Sequence, residues 1–475
     1  MLLDPLDLPV LSGERTMREA SPAYSIQRAD SVELAAYHRL RYEAFVDEQG
    51  LFAGSDHDHL DDDPRTVVLV AVDETGNVLG GVRIGIATPD RDIGWWTGSR
   101  LVVARAARSK GHIGGALVRA ACAYAEQGGA LRFDATVQLR NQVMFDRLGW
   151  TTVGPAIVAG VEHAHMRWPI DRIERLANSS KAFLAGLLDP LGAAADGPSQ
   201  SFGGSGFVGD DGAPIAGTDV IAACDAILPS LVERDPEWAG WCAVLVNVND
   251  LSAMGARVVG LLDALGARDA SFAARLFTGL RNGAAAWGAP ILGGHTQLGV
   301  PASLAVTALG RTETPIPGGG GRLGQAVSVS VDTSGSWHPR YTGMQWDSTS
   351  HRSGEELRTM AGLVANASPA AAKDISMAGL VGTIGMLAEA SGCGAVVEVA
   401  DVPAPDGVAA ADWLTCFPGF GMITADRPGE SRMSSPLVQT RECGTLTIER
   451  GVQLRWPDGL TTTALSSAVT GLGRA

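Results

Sequence analysis

Residues 249–255 read Asn-Asp-Leu-Ser-Ala-Met-Gly, a block in which two polar side chains precede small and apolar residues. Further acidic or glycine-rich blocks lie on both sides of it: Gly209-Asp210-Asp211, Asp225, Gly293-Gly294-His295-Thr296 and Lys373-Asp374. Carboxylates repel one another, so burying several of them together requires cations or hydrogen-bond donors. Magnesium bridging phosphate groups is the expected cation for a set of oxygen ligands. The blocks therefore predict a magnesium-assisted site for a nucleotide triphosphate.

Each residue type in these blocks suits one part of such a site. The candidate magnesium ligands, which would bridge phosphate groups, are Asp210, Asp211, Asp225 and Asp250. The candidate catalytic residues of this part are Asp250, Asp374 and His295, with Asn249 placed to orient a phosphate or a metal-bound water. Gly293 and Gly294 would let the backbone approach the ligand. The alternative for any single aspartate is a helix cap or a turn residue, most of all for Asp225.

Length and charge bound the class of protein. The chain has 475 residues, which predicts two or three domains, and 45% of them are apolar, enough for sizeable cores. The net charge of −15 argues against a nucleic-acid or anionic-membrane partner. Small anionic cofactors stay possible, because local donors can bind them. The expected partners are therefore small molecules.

Cysteine usage and hydropathy predict a cytoplasmic protein. None of the six cysteines forms a CxxC pair or a metal-ligand spacing, so reduced, mostly buried thiols are expected. The first 18 residues lack a basic segment followed by an apolar run, which argues against a signal peptide. No stretch of about 20 uncharged apolar residues predicts a membrane span.

Composition shifts divide the chain into a leader over 1–20, a first unit over 21–170, a linking helix over 171–195, and two further parts over 196–316 and 322–475. The break between the last two is the Pro- and Gly-rich segment 315–321. Hydrophobic periodicity predicts helices over 32–45, 114–127, 142–148, 271–287 and 377–390. A hairpin is predicted over 66–86, and the apolar run Cys242 to Val248 is interpreted as a buried strand.

The first unit contains a second anion-binding pattern. A strand at Val102-Val103 is followed by a basic, glycine-rich turn and a helix, and backbone N–H groups at such a helix start favour an anion. A pyrophosphate would fit this turn, and the alternative is a turn with two solvated cations. The candidate cofactor-binding residues are Val103, Arg108, Lys110, Gly111, His112, Gly114, Gly115 and Asn141.

This first unit resembles the GNAT acetyltransferase family. The resemblance rests on Arg108 and Gly111, on 40–49 with the acidic run 56–63, and on 141–150, although Gly114 lies one place later than in the family pattern. It implies an acetyl-CoA site. Phe145 stands where many relatives have a tyrosine that protonates the departing thiolate. Glu48 is the candidate base for the acceptor amine, with Glu43 and the acidic run as alternatives, although charge runs are usually solvated faces.

Residues 197–430 resemble the superfamily of AIR synthase, thiamine-monophosphate kinase, the hydrogenase maturation dehydratase and selenophosphate synthetase. The five blocks occur in the order of that superfamily's motifs. The resemblance implies a two-part PurM-like α+β domain that binds ATP and magnesium and forms homodimers with sites near the interface. Residues 200–209 contain neither cysteine nor lysine, which argues against selenophosphate synthesis. Met377 stands where kinase relatives usually have a second aspartate.

Together these patterns predict an α/β acyltransferase domain followed by an α+β ATP-binding domain. The predicted function is bifunctional: acetyl transfer from CoA to an amine, and phosphorylation by Mg·ATP of an amide or carboxyl oxygen. The alternatives are an ATP-dependent kinase or ligase with a CoA-sensing regulatory domain, and a scaffold that binds nucleotides without turnover. The fusion also resembles a bacterial family associated with nitrogen starvation, which implies small nitrogenous metabolites as substrates.

Overall fold

The computed structural model describes residues 24–109, 112–192 and 201–475. Its contacts divide the chain into two compact units, one ending at Ile170 and one beginning at Asp171. No helix within the described residues is both long and apolar enough to cross a membrane.

The first unit is built on one seven-stranded sheet. Across the sheet its strands are Tyr24–Arg28, Val67–Asp73, Val78–Ile86, Trp95–Val103, Arg132–Gln138, Val161–Trp168 and Thr151–Val158. All neighbours are antiparallel except Trp95–Val103 and Arg132–Gln138, which run parallel. The parallel pairing ends at Gly98 and Ala135 although both strands continue. The sheet therefore opens at this point.

Helices cover the first sheet. They are Ser31–Tyr42, the π-helix Glu43–Glu48, His59–Asp62, Ile113–Gly128 and Gln142–Arg147. Asp30 caps the first of them, with Glu33 completing a capping box. The helix Ile113–Gly128 buries an apolar stripe that includes Leu117 against the sheet, as its periodicity predicts.

The acidic run 56–63 differs from its interpretation as a solvated face. The side chains of Asp56 and Asp61 are buried, and the guanidinium of Arg41 lies 2.7 Å from the Asp56 carboxylate and also pairs with Asp61. Arg83 reaches Asp58 and Asp61, each at 2.7 Å. Buried carboxylates require such pairing, because an unpaired charge in the interior is costly. Asp56, Asp58 and Asp61 therefore form a structural ion network rather than a set of available bases.

The second unit begins with helices Arg172–Ser180 and Leu184–Gly192, followed by the short 3-10 turn Ser201–Gly203. A five-stranded sheet follows, with the order Ile291–Leu298, Arg257–Ala267, Ser303–Arg311, Val220–Ala226 and Ala213–Pro214. Its helices are Pro229–Arg234, Pro236–Ala253 and Ala270–Trp287. The last two cross with backbones in close contact, since a Cβ added at Gly279 would lie 1.9 Å from the Glu237 carbonyl oxygen.

The predicted strand from Cys242 to Val248 is wrong. These residues lie inside the helix Pro236–Ala253, which is buried on nearly all sides. A helix surrounded by protein has no polar face, so its sequence shows a continuous apolar run instead of a 3.6-residue period. Such a run is indistinguishable from a buried strand by periodicity.

The last part of the chain forms a second seven-stranded sheet. Its strands are, in order, Ala371–Asp374, Gly421–Asp426, Ala326–Val331, Gln439–Thr447, Gly394–Glu398, Val452–Arg455 and Thr461–Leu465. A small sheet joins Ser336–Trp337, Gln345–Asp347 and Phe417–Pro418, and the helices are Gly354–Ala361, Leu363–Ala367, Gly379–Ala390 and Ala410–Thr415. Met254, Ala372 and Met422 belong to one hydrophobic core, so the two halves of this unit pack against each other.

Candidate functional site

Three of the predicted aspartates meet in one place. Ligand oxygens of Asp211, Asp250 and Asp374 lie within 4.8 Å of one another. Asp211 comes from the loop before the strand Ala213–Pro214, Asp250 from the last turns of a helix, and Asp374 from the end of a strand in the other half. The expectation that side chains distant in the sequence share one site is therefore met for these three.

A buried lysine holds the loop of this cluster in place. The Nζ of Lys373 lies 3.1 Å from Asp211 Oδ1, 3.6 Å from Asp210 Oδ1 and 2.9 Å from the carbonyl oxygen of Gly209. The backbone N–H of Asp374 donates to Asp211 Oδ2 at 3.0 Å, and that of Gly318 donates to Asp210 Oδ2 at 2.8 Å. Asp210 thus faces the lysine and the Gly318 backbone.

Sequence reasoning placed Lys373 within a motif but gave it no role. The available signal was the scarcity of lysine, since the chain contains only Lys110, Lys181 and Lys373. Lys181 falls within the predicted linking helix over 171–195. In the structure it lines a cavity together with Asp225 and Asp374, and its charge lowers the pKa of both carboxyls against the larger effect of burial.

Burial and mutual repulsion disfavour charge on these carboxyls. Burial raises the pKa of Asp250 and Asp374 well above the usual value, and neighbouring aspartates raise it further. Burial also raises the pKa of Asp225, against a smaller lowering by Asp250, and raises the pKa of Asp210 to about 6. Cations brought among these groups would offset the repulsion.

The donor set fits a magnesium ion. It consists of carboxylate oxygens alone, which Mg²⁺ prefers. Asp211, Asp250 and Asp374 each offer one carboxylate oxygen to such an ion. Asp211, Asp250 and Asp374 would hold the ion, and Asp225 lies beside them. Asn249, one residue before Asp250, donates its side-chain N–H to the carbonyl oxygen of Gly419.

Gly293, Gly294 and His295 lie elsewhere in the fold. These residues belong to the strand Ile291–Leu298 at the edge of the five-stranded sheet. Two strands separate it from the strand that carries Asp225. A Cβ on Gly294 would lie 2.2 Å from the carboxylate of Asp263, so this glycine allows close strand packing. Within one chain, the structure does not bring His295 to the aspartate cluster.

In the first unit, most of the predicted CoA-binding residues line one cavity. It has a volume of about 710 Å³, within the usual range for small-molecule sites. Its lining includes Val103, Arg108, His112, Gly114, Gly115 and Asn141, while Lys110 and Gly111 lie outside the described residues. The cavity therefore includes the first turn of the helix Ile113–Gly128, where backbone N–H groups favour an anion.

Glu48, the predicted base, lines the same cavity but is paired. Its carboxylate receives two hydrogen bonds from the guanidinium of Arg108, the longer at 2.6 Å. These hydrogen bonds hold the pKa of Glu48 below its usual value, and a carboxylate with a lowered pKa is a weaker proton acceptor. The pairing argues against a catalytic base at this position.

A second, smaller cavity of about 130 Å³ lies where the first sheet opens. It is lined by residues of both diverging strands and by Phe145 and His163. His163 is buried on the strand Val161–Trp168, and its Nδ1 lies 2.9 Å from the carbonyl oxygen of Val161. This contact requires a proton on Nδ1, which makes Nε2 the proton acceptor of a neutral ring. No sequence pattern had singled out this histidine.

Family models match three segments of the chain. They are the AIR synthase related protein N-terminal domain over 209–312, the AIR synthase related protein C-terminal domain over 347–437, and the acetyltransferase (GNAT) family over 28–150. The chain belongs to the AIR synthase related family and carries a GNAT acetyltransferase domain before it. The predicted family and fold class are thereby confirmed.

Individual proteins are similar to parts of the chain. Protein sll0787 of Synechocystis, whose name describes it as uncharacterized, is 34% identical over 229 residues, which are 46% of this chain and 70% of that protein. Thiamine-monophosphate kinase of Synechococcus elongatus is 33% identical over 112 residues, 22% of this chain and 34% of that protein. The solved thiamine monophosphate kinase of Aquifex aeolicus is 20% identical with a TM-score of 0.44, covering 58% of this chain and 97% of that one.

The buried carboxyls predict how stability depends on pH and magnesium. Between the usual pKa of 3.8 and about 6, Asp210 keeps a proton in the folded protein that the unfolded chain has lost. The free energy of unfolding of the metal-free protein should therefore fall by roughly 1–3 kcal/mol as pH rises through this interval. Asp210→Asn should flatten the decrease, and Mg²⁺ should raise the melting temperature more at pH 8 than at pH 5.

Calorimetric unfolding in chelator and in millimolar Mg²⁺ measures both effects. Asp406→Asn, at an exposed aspartate, is the matched control and should keep the pH dependence of the unmutated chain. A magnesium effect that is equal at both pH values would contradict the assignment of the cluster as a cation site.

Proposed function

We propose that the chain is a bifunctional enzyme. One site transfers an acetyl group from CoA to an amine, and the other uses Mg·ATP to phosphorylate an amide or carboxyl oxygen of a small nitrogenous metabolite. The observation that carries the second activity is the convergence of Asp211, Asp250 and Asp374 around a buried Lys373. The family supports ATP-dependent chemistry in general, and the reaction and its substrate are our proposal.

The residues of the aspartate cluster suit phosphoryl transfer. Asp211, Asp250 and Asp374 would hold a magnesium ion, which would neutralise the negative charge that develops on the phosphate groups of ATP. Lys373 keeps the loop that carries Asp211 in position. The acceptor oxygen forms its bond to the γ-phosphorus as the bond to the ADP oxygen breaks. Because the groups are buried and anchored in both halves, they are oriented before the substrate arrives.

This activity predicts a specific effect of removing one carboxylate. Asp250→Asn should lower ADP release by about 100-fold or more, because one cation ligand and its charge are lost. Coupled assays of ADP release, run with Mg·ATP and a panel of small amides and carboxylates, measure it. Lys373→Met should also lower turnover, because the loop at Asp211 loses its buried ion pair.

Asp263→Asn provides the control, since Asp263 is an acidic residue of the same unit that lies on the strand next to the sheet edge. Its turnover should match that of the unmutated chain. Turnover that persists in Asp250→Asn would exclude the aspartate cluster as the catalytic site.

The proposed acetyl transfer uses the two cavities of the first unit. The larger would hold CoA, with Arg108 on its phosphates, and the smaller would admit the acceptor amine beside the thioester. His163 accepts a proton from the amine through Nε2 as the nitrogen attacks the thioester carbonyl carbon. The carbon–sulfur bond then breaks, and the CoA thiolate leaves. Phe145 has no hydroxyl group that could protonate the thiolate, so water supplies this proton.

The role proposed for His163 predicts that its substitution lowers the rate of acetyl transfer without changing the affinity for CoA. His163→Gln should lower the rate of CoA thiol release in the presence of amines by about 10²–10³-fold, because the proton acceptor is lost. Its affinity for CoA, measured by calorimetry, should be unchanged. Arg108→Gln is the matched comparison and should instead weaken CoA binding, because it removes a cation from the phosphates. Unchanged transfer in His163→Gln would exclude this base.

Phe145 also supports a second function for the first unit. A domain that binds CoA without an acid for the thiolate would serve as a CoA sensor that regulates an ATP-dependent kinase or ligase. The same experiments distinguish the two functions. Tight CoA binding with no thiol release across the amine panel, together with ADP release that changes with CoA, would favour the sensor.

We further propose that two copies associate through the strand Ile291–Leu298. Every residue of this edge strand is exposed, and Leu292 and Leu298 are each more than half exposed. Exposed apolar edge strands readily pair with another chain. Pairing would place Gly293, Gly294 and His295 at an interface, as the family resemblance implies.

The dimer is tested at its edge strand. Leu292→Lys should shift the protein from dimer to monomer in sedimentation velocity, because a charge on an edge strand opposes pairing. Ile448→Lys, a charge at another exposed apolar residue, is the control and should remain dimeric. A monomeric unmutated chain at micromolar concentration would contradict the proposal.

A further inference from the structure

An apolar cavity leads away from the aspartate cluster. It has a volume of about 110 Å³, and Asp225, Asn249 and Asp374 are among the residues that line it. The helix Pro236–Ala253 forms one wall, with Trp238, Cys242, Leu245, Val246 and Asn249 along one stripe. Trp238 and Asn249 are separated by three helical turns, or about 16 Å at 1.5 Å per residue. The cavity therefore extends from the site of phosphoryl transfer into the core.

The remaining walls are also apolar. They include Ile227, Leu231, Trp346 and Phe417. Among the described residues that line the cavity, the charged ones are Lys181, Asp225 and Asp374, which lie together at the aspartate cluster. The deep part thus offers no cation for a phosphate or carboxylate, and burying such a group there would be costly.

Polar atoms without partners mark the end of the cavity near the cluster. Oδ1 of Asp374 and Oγ of Ser376 are both buried and have no hydrogen-bond partner, and both residues line the cavity. Oδ1 of Asp374 can accept a hydrogen bond, while the Ser376 hydroxyl can donate one. The deep end differs, because Oε1 of Gln345 already accepts from Nε1 of Trp238 at 2.7 Å. The buried side-chain atoms without partners, among the lining residues that the structure describes, therefore lie beside the cluster.

We infer that this cavity binds the phosphoryl acceptor, and that the acceptor is an uncharged primary carboxamide with a compact apolar body and no phosphate of its own. A carboxamide supplies the matching pair of groups: its N–H donates to Asp374 and its oxygen accepts from Ser376. A carboxylate would meet three aspartates, Asp225, Asp250 and Asp374, against one lysine among the described lining residues, Lys181. A cavity of about 150 Å³ accommodates benzene, so this cavity of about 110 Å³ has room for a smaller body, such as a short or branched alkyl group.

This inference rests on the proposed phosphorylation activity for the role of the ligand, but its binding test does not need ATP. Calorimetry of the full chain with isobutyramide and propionamide should show binding, and ribose 5-phosphate should show none. Cys242→Met, which adds volume to the cavity wall, should weaken amide binding by about tenfold or more. Cys242→Ala keeps the cavity open and should bind the amides within about threefold of the unmutated chain.

Equal melting temperatures of the two variants in Mg·ATP would show that both fold. Amide binding that survives in Cys242→Met, tighter binding of ribose 5-phosphate, or no binding of either amide would each overturn the assignment. Release of ADP is measured separately. Amides that bind in the cavity but never stimulate ADP release would refute the phosphorylation activity while leaving the carboxamide site established.

Discussion

The ion pair of Lys373 with Asp211 and Asp210 is the interaction on which the second unit depends. It joins the loop at Gly209 to the strand Ala371–Asp374, and therefore joins the two halves of the domain. A buried ion pair contributes little net stability, because desolvation offsets most of the attraction. The ion pair instead orients the loop that carries Asp211. Without the ammonium group of Lys373, repulsion from the neighbouring carboxylates would disfavour placing Asp211 in this site.

The helix Pro236–Ala253 links this cluster to the proposed acceptor cavity. It carries Asp250 near its end and the cavity wall along its length, and it is packed on nearly all sides, so the reacting end and the binding surface are parts of one rigid element. The close crossing at Gly240 and Gly279 fixes this helix against its neighbour. Core packing therefore sets the geometry at the site. Substitutions in this helix far from Asp250 can shift its carboxylate and so change the rate of the reaction.

Sequence reasoning found the aspartates because their local motifs are specific. Asp211, Asp250 and Asp374 each lie in a short block whose order along the chain matches a known superfamily, and the structure brings them together. Prediction from the sequence failed for elements and residues whose role depends on their tertiary surroundings. The run from Cys242 to Val248 has no period because the helix is buried all round. Lys181 and His163 belong to no motif, and only packing places them in cavities.

The basic residues of the two proposed sites, Arg108 and Lys373, differ in burial, and this difference separates their roles. Arg108 pairs with Glu48 at the surface, where water and salt compete with the carboxylate, so phosphate groups can replace Glu48 at small cost. Lys373 pairs with Asp211 out of contact with water, and removing its partner would leave a buried charge uncompensated. Arg108 is thus suited to exchange an internal carboxylate for a ligand, whereas Lys373 keeps its carboxylates throughout. Because Arg108 can release its partner, it suits reversible binding of CoA. Because Lys373 keeps its partners, it suits a permanent cation site.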